Sequence, residues 1–294
     1  MKKSSILVCG LLVLPLLMGF FWQAKAPSDK VFLGLCIKGT LQEVQKAIKS
    51  GANINAKNSN GLTALMVAAG ANSNPDIITA LIQGGADVNA KNNNGITALM
   101  VATKLNSNPE ITTALIKGGA DVNAKTSIGI TALMQAVLDN SSPEIISVLI
   151  TGGADVNTKD SAGLTALMCA VIKNNPGIIT ALIEGGADVN AKSSNGYTAL
   201  MVAVLDNNNP ELIATLIKGG AEINAVDKDG QTPLMIAASN NSNPDVIRTL
   251  IEYGVDVTIK CADGKNALDY ANTNNELKGT DAYLLLQKMT LSKM

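Results

Sequence analysis

The sequence predicts an all-α solenoid of about eight units, each a pair of antiparallel helices joined to the next pair by a β-turn or hairpin loop. Three observations lead to this prediction. A marker glycine recurs with a period of 33 or 34 residues, a short helix-forming run follows each marker, and a second helix start with a proline comes later in each full unit. A fixed period of this length is typical of stacked repeats, in which each unit buries its apolar face on its neighbours. The marker glycines are Gly61, Gly95, Gly129, Gly163, Gly196, Gly230 and Gly264.

The unit at residues 95–128 shows why two helices are expected. Thr97 suits the N-cap position ahead of the run Ala98-Leu99-Met100-Val101-Ala102. Asn108-Pro109-Glu110 then provides a cap, a proline at the first helical position and an acid at the positive end of the helix dipole. Gly118-Gly119 ends the second helix, because glycine accepts the left-handed turn that follows a helix C-terminus.

The chain divides into a leader, residues 1–26, and one repeat domain, residues 27–294. The domain is expected to hold an opening unit at 30–60, full units at 61–94, 95–128, 129–162, 163–195, 196–229 and 230–263, and a closing unit at 264–294. We expect the helices of the opening unit at 31–37 and 41–49, and the last helix at about 280–289. The lysines and glutamines of the opening unit suit an end unit with one face in water.

The leader has the pattern of a secretory signal. Met1-Lys2-Lys3 is a basic start, Ile6 to Trp22 is an apolar run, and Ala24-Lys25-Ala26 has the spacing of a cleavage site. Pro27 directly after that site and the length of the run leave a second interpretation open, in which residues 6–22 stay uncleaved as an anchor in the inner membrane. Both interpretations place the repeat domain outside the cytoplasm, in the periplasm or the medium, because the lysines stay inside.

The charge of the chain bears on its partners. The net charge is −1, and it becomes −4 when Lys2, Lys3 and Lys25 of the leader are left out. A chain of that sign has no overall attraction to phosphate, and we find no basic run. Binding to nucleic acid is therefore not expected.

The repeated motifs resemble those of ankyrin-repeat proteins, and the leader makes the chain similar to an exported, bacterial-type member. The resemblance rests on the Gly-x-Thr-Ala-Leu-Met box, as in 61–66, the Asn-Pro helix start, and the Gly-Ala-Asp-Val-Asn turn, as in 119–123. The family's box usually reads Thr-Pro-Leu-His, whereas here methionine replaces the histidine and only Pro233 keeps the proline. Most units also have one residue more than the usual 33. The resemblance implies a monomeric protein that binds other proteins on a concave face formed by the turns and first helices.

Catalysis, cofactors and metals are not expected. Histidine, the commonest general base and metal ligand, is absent from the sequence. Cys36, Cys169 and Cys261 lie units apart, too far for disulfides, so we expect free thiols, with Cys261 exposed in a turn. Three columns of side chains are interpreted as structural. They are the acids Asp87, Asp121, Asp155, Asp188, Glu222 and Asp256; the asparagines Asn55, Asn89, Asn123, Asn157, Asn190 and Asn224; and the core methionines Met66, Met100, Met134, Met168, Met201 and Met235.

Function is therefore expected where the units differ, in two columns that are most apolar in the middle of the chain. We name their nine residues the apolar strip: Leu62, Ile96, Ile130, Leu164 and Tyr197 after the marker glycines, and Leu105, Leu138, Ile172 and Leu205 near the first-helix ends. Such a strip on an exposed groove is typical of a protein-binding surface, with Tyr197 as its anchor.

Three alternatives remain open. The helix-end residues of the strip could instead pack under the connectors between the helices. The chain could also be a membrane-tethered structural spacer without a specific ligand, or a secreted effector that acts on host proteins.

Overall fold

The structure, a computed structural model, describes residues 25–139, 142–206, 209–240 and 243–293. The basic start and the apolar run of the leader lie outside the described residues. Within those ranges the chain forms sixteen helices and no strand, apart from one isolated bridge between Lys57 and Thr63. The predicted all-α class is confirmed.

The helices form eight pairs, as the repeat count predicts. The first helices of the pairs are α1 (Asp29–Lys38), α3 (Ala64–Ala71), α5 (Ala98–Leu105), α7 (Ala132–Leu138), α9 (Ala166–Ile172), α11 (Ala199–Asp206), α13 (Pro233–Asn240) and α15 (Ala267–Ala271). The second helices are α2 (Leu41–Lys49), α4 (Pro75–Gln83), α6 (Pro109–Lys117), α8 (Pro143–Thr151), α10 (Pro176–Glu184), α12 (Pro210–Lys218), α14 (Pro244–Glu252) and α16 (Asp281–Ser292). The opening and closing helices thus extend slightly beyond the predicted 31–37 and 280–289.

The helices pack in two layers with one core between them. Each first helix packs against the first helix of the next unit, and the second helices pack in the same way. The buried apolar residues form one continuous cluster from Phe32 to Leu286. Among the described residues, every pair of helices contributes to this cluster, so one hydrophobic core runs through the whole solenoid.

The first helices begin as the sequence predicts, with threonine caps. Thr97 Oγ1 accepts a hydrogen bond from the Met100 N–H at 3.3 Å, and the same bond recurs in the other boxes. The Met66 sulfur lies 3.4 Å from the Thr63 N–H and completes a reciprocal cap. The methionine thus fills the core and also offers a soft acceptor to a buried donor.

The two glycines that end each second helix have different roles. Gly118 keeps φ near −78° and lies against Ile82 of the preceding unit, where a Cβ would overlap the isoleucine Cδ1. Gly119 has φ of 91° and nothing within 4 Å of the place of a Cβ. The left-handed turn predicted for the pair therefore belongs to the second glycine alone, whereas the first permits close contact between units.

Asparagine side chains join the turns of successive units. Asn123 donates from Nδ2 to the Gly153 carbonyl at 2.9 Å, and its Oδ1 accepts from the Asp155 N–H at 2.7 Å. Asp155 in turn accepts from the Asn157 N–H at 2.9 Å, which fixes its own turn. The same pair of contacts recurs along the array, so the predicted structural role of both columns is confirmed.

The unit at 163–195, one residue shorter than its neighbours, loses that residue between its marker glycine and Pro176. Its connector contains Asn174, which has φ of 51° and is the one non-glycine residue with a positive φ in the described ranges. Asparagine tolerates this conformation better than most residues. Asn175 still caps α10 by accepting from the Ile178 N–H, so the second helix keeps its place in the stack.

Candidate functional site

The five strip residues that follow the marker glycines are held in a fixed direction. The Leu164 N–H donates to Asp160 Oδ1 at 2.8 Å, and the Leu164 carbonyl accepts from the Asp160 N–H at 3.0 Å. Asparagine, threonine or serine takes the place of Asp160 at the other four strip positions. All five side chains are half-buried and pack against the core with one side. The turns therefore present a row of apolar side chains whose other side faces solvent.

The four helix-end residues of the strip divide into two groups. Leu105 and Ile172 are 65% and 45% exposed. Leu138 and Leu205 are half-buried and pack against the core. The interpretation that these residues are structural therefore fits Leu138 and Leu205, whereas Leu105 and Ile172 remain open to solvent.

Tyr197 lies at the C-terminal end of the strip, in acidic surroundings. Burial raises the pKa of its hydroxyl, and Asp227 and Asp229 raise the pKa further. Its side chain is half-buried, and its hydroxyl forms no hydrogen bond with another described residue. It thus combines an apolar ring, a free polar group and nearby carboxylates, features that favour a partner with apolar and basic groups.

Ile128 belongs to the same face, although the sequence reasoning missed it. It is 59% exposed at the turn that precedes Ile130. The signal was present in the sequence, because the corresponding positions in other units are small or polar: Asn60, Asn94, Ala162, Asn195, Asp229 and Asp263. An isoleucine in such a column extends the apolar surface at the middle of the array.

Cys36, Cys169 and Cys261 are free, as their separation along the repeats predicts, and all three are buried. Burial raises the pKa of the Cys36 thiol to about 12, and burial followed by Asp160 raises that of Cys169 to about 11. The prediction that Cys261 is exposed is wrong. Its side chain is buried, with Sγ 3.3 Å from the Tyr270 hydroxyl, because the closing unit covers this turn.

The described part of the chain has neither a metal-binding cluster nor a helix that could span a membrane. No group of three or more histidine, cysteine, aspartate or glutamate side chains there could hold a metal ion. None of the helices described is long and apolar enough to cross a bilayer.

Comparison with known families identifies the repeat. A model of ankyrin repeats matches three stretches, residues 33–126, 133–227 and 200–289, which together span nearly all of the solenoid. The chain belongs to the ankyrin-repeat family. Ankyrin repeats generally mediate protein–protein interaction, and the fold is typically a non-catalytic scaffold.

Solved structures agree with this assignment. The chain is similar to the ankyrin repeat domain of Bcl-3, described as a unique member of the IkappaB protein family, with a TM-score of 0.67 and 28% sequence identity. The similarity covers 74% of this chain and 98% of that chain. A search of curated proteins found no match. The ankyrin fold of this chain therefore extends beyond a complete ankyrin domain of known structure.

Proposed function

We propose that this ankyrin-repeat chain is a non-catalytic scaffold that binds a protein partner through the apolar strip and the adjoining Ile128. The observation that carries the proposal is the exposure of Leu105, Ile128 and Ile172, together with the row of half-buried apolar turn residues. Exposed apolar groups on a rigid surface favour association, because the partner removes them from water at little cost in ordering.

Charge supports a partner with basic as well as apolar groups. Asp227 and Asp229 lie near Tyr197, and Asp160 closes the turn of Leu164. Complementary charge at the edge of an apolar surface favours the correct partner and speeds encounter. We propose that the partner presents apolar side chains flanked by lysine or arginine.

The test is affinity capture with residues 27–294 from the envelope and medium of the source cell. The variant carries Leu105→Ser and Ile172→Ser, two exposed residues whose replacement should leave the core intact. The matched control carries Leu284→Ser and Leu291→Ser, which are 52% and 61% exposed on α16, away from the strip. We expect one partner to be captured by the wild type and the control and lost with the strip variant.

Equal capture by the wild type and the strip variant would contradict the proposal, as would the absence of any specific partner. A second variant, Tyr197→Ala with Leu164→Ser, tests the turn end of the strip. Because these two side chains are half-buried, its thermal unfolding is measured beside its binding.

One observation favours the alternative that the chain is a structural spacer without a specific ligand. Leu138 and Leu205 pack against the core, which is the expected arrangement where apolar residues serve stability alone. If the whole strip had that role, the Leu105→Ser/Ile172→Ser variant would lose no partner. The capture experiment thus decides between scaffold and spacer.

We also propose that the scaffold works outside the cytoplasm, in the periplasm or the medium. The support is the basic start, the apolar run and the Ala24-Lys25-Ala26 spacing of the leader. Cell fractionation followed by N-terminal sequencing tests this: a mature chain that begins at Pro27 indicates cleavage, and Met1 in the membrane fraction indicates an anchor. Recovery of the full-length chain from the cytosol would contradict export.

A further inference from the structure

Charge is distributed very unevenly along the solenoid. Residues 25–60 contain six lysines and two acidic residues, a net charge of +4. Residues 61–294 contain 15 basic and 22 acidic residues, a net charge of −7. The small net charge of the whole chain thus conceals a basic opening unit on an acidic array.

The lysines of the opening unit are free to act, whereas its acids are engaged. The lysines are exposed, and within the described residues none of them forms an ion pair. Glu43 instead accepts hydrogen bonds from Thr40 in the capping box of α2, which lowers the pKa of its carboxyl. Asp29 accepts from Asn53 Nδ2 at 3.3 Å. Both carboxylates keep their negative charge, so residues 25–60 have the net charge of +4, and no described acid holds one of their lysines in an ion pair.

Three of these lysines lie around one open cleft. Lys25, Lys46 and Lys49 line an open cleft of about 830 Å³ at the C-terminal turn of α2, and none of the described residues that line it is acidic. Gln42 and Gln45 add further hydrogen-bond donors. Ala26 passes this turn close to Gly51. The cluster therefore lies where the chain comes in from the leader.

The sequence of the leader indicates what this cluster would meet. The apolar run ends at Trp22 and α1 begins at Asp29, so residues 23–28 can span at most roughly 20 Å. Electrostatic attraction between exposed charges acts over a Debye length of about 8 to 10 Å. A leader embedded in a bilayer would therefore keep the opening unit close to the lipid headgroups.

We propose that the basic opening unit binds the surface of an anionic phospholipid membrane, with Lys46 and Lys49 as the main contacts and Lys25 beside them in a chain that keeps its leader. Basic residues near such a surface each strengthen binding, whereas the acidic remainder is repelled from it. The solenoid then stands with its opening unit toward the lipid and its apolar strip turned to the aqueous side. This contact is independent of the partner surface proposed above.

Vesicle flotation of residues 25–294 tests the proposal, since the core from Phe32 to Leu286 lies entirely within this part. The vesicles contain either equal parts of phosphatidylglycerol and phosphatidylcholine or phosphatidylcholine alone. We expect binding only to the anionic vesicles, weakened by added salt. The variant Lys46→Glu/Lys49→Glu should lose at least about 25-fold in partitioning, because each lysine contributes about fivefold near an anionic surface.

The control is Lys117→Glu/Lys218→Glu, which makes the same change of charge at the last residues of α6 and α12. It should lose far less binding than the opening-unit variant, and Leu105→Ser/Ile172→Ser should lose none. Circular dichroism checks that each variant is folded. If the α2 variant is not, Lys25→Glu/Lys30→Glu replaces it.

Three results would overturn the proposal: equal binding to both kinds of vesicle, equal loss in the control, and no binding to anionic vesicles at all. Retention on heparin without vesicle binding would indicate a soluble polyanion instead, and would likewise reject the membrane. The strip variant is only a control in this experiment, so rejection of membrane binding would not contradict the scaffold proposal.

Discussion

At the scale of single residues, the paired glycines show how one dipeptide meets two demands. Gly118 contacts the preceding unit, and Gly119 turns the chain. We predict that Gly118→Ala lowers the free energy of unfolding by about 1 to 3 kcal/mol through overpacking against Ile82. Ile82→Val should relieve part of this loss, because it removes the methyl group that the new Cβ would meet.

Gly119→Ala is the matched control for that prediction. Its cost, about 1 to 2 kcal/mol, comes from a positive φ and not from a contact. Ile82→Val should therefore bring it no relief. Urea unfolding of the single and double variants measures both couplings, and an equal coupling for the two glycines would show that the distinction is wrong.

Two buried thiols give a prediction on pH. The folded-state pKa of Cys36 is raised to about 12 and that of Cys169 to about 11, each from an ordinary value of 9.0. As pH rises, the thiols of the unfolded chain therefore lose their protons before those of the folded chain. The contribution of the two protonated thiols to the free energy of unfolding is complete below pH 9 and falls as pH rises toward the folded-state pKa values. By pH 11 the loss should be on the order of 2 kcal/mol for each thiol.

Urea unfolding between pH 8 and pH 11 measures this loss. This range begins below the ordinary thiol pKa of 9.0 and extends to the raised pKa of Cys169. The Cys36→Ala/Cys169→Ala variant serves as the control, since every other titrating group remains. Its stability should fall less steeply with pH than that of the wild type. Parallel curves for the two proteins would contradict the assignment of the effect to these thiols.

At the scale of the element, the turn depends on hydrogen bonds that cross from one unit to the next. Asn123→Ala removes both the donor to Gly153 and the acceptor for Asp155. We expect a loss of about 1 to 2 kcal/mol in the free energy of unfolding. Asn123→Asp should lose about as much, because it keeps the acceptor for Asp155 but turns a carboxylate oxygen toward the Gly153 carbonyl.

The control for this prediction is Asn94→Ala. Asn94 lies exposed in a turn and donates only its backbone N–H, to Asn92. Its replacement should change stability by no more than about 0.5 kcal/mol. A loss as large as that of Asn123→Ala would mean that exposed asparagines stabilise the turns generally and not through the contacts between units.

Most of these elements could be predicted from the sequence, because repetition made each signal recur. The threonine caps, the proline starts and the stacking follow from local rules applied several times. The exposure of Cys261 could not be predicted in this way. Its turn belongs to the last full unit, and its cover, Tyr270, lies in a closing unit whose sequence has left the repeat.

The apolar strip was only partly predictable for a similar reason. Apolar character and spacing are alike in Leu138 and Ile172, yet the first packs on the core and the second is exposed. The length of the unit does not explain this difference, because Leu105 is exposed in a unit of full length. Ile128 was not predicted because it lies at the position before a marker glycine, which is small or polar in the other units. Only a comparison of this position across units shows that an apolar residue is exposed there.

At the scale of the whole molecule, the end units close a core that would otherwise be open. The closing unit packs α15 on α13 and α16 on α14. We predict that a chain ending at residue 263 unfolds at a clearly lower urea concentration than the full domain, since its last full unit would expose a buried face. Removal of residues 293–294 alone should have no such effect, and an unchanged midpoint for the longer truncation would contradict a capping role.

The contacts between glycine and isoleucine, and those of the asparagine ladder, link each unit only to the next. A duplicated unit would therefore carry the residues for its contacts with the unit before it and with the unit after it. Duplication or loss of the gene segment that encodes one 34-residue unit changes the length of the solenoid without requiring a new kind of contact between units. The extent of the surface can thus evolve separately from its chemistry, which changes by substitution at the few exposed positions of each unit.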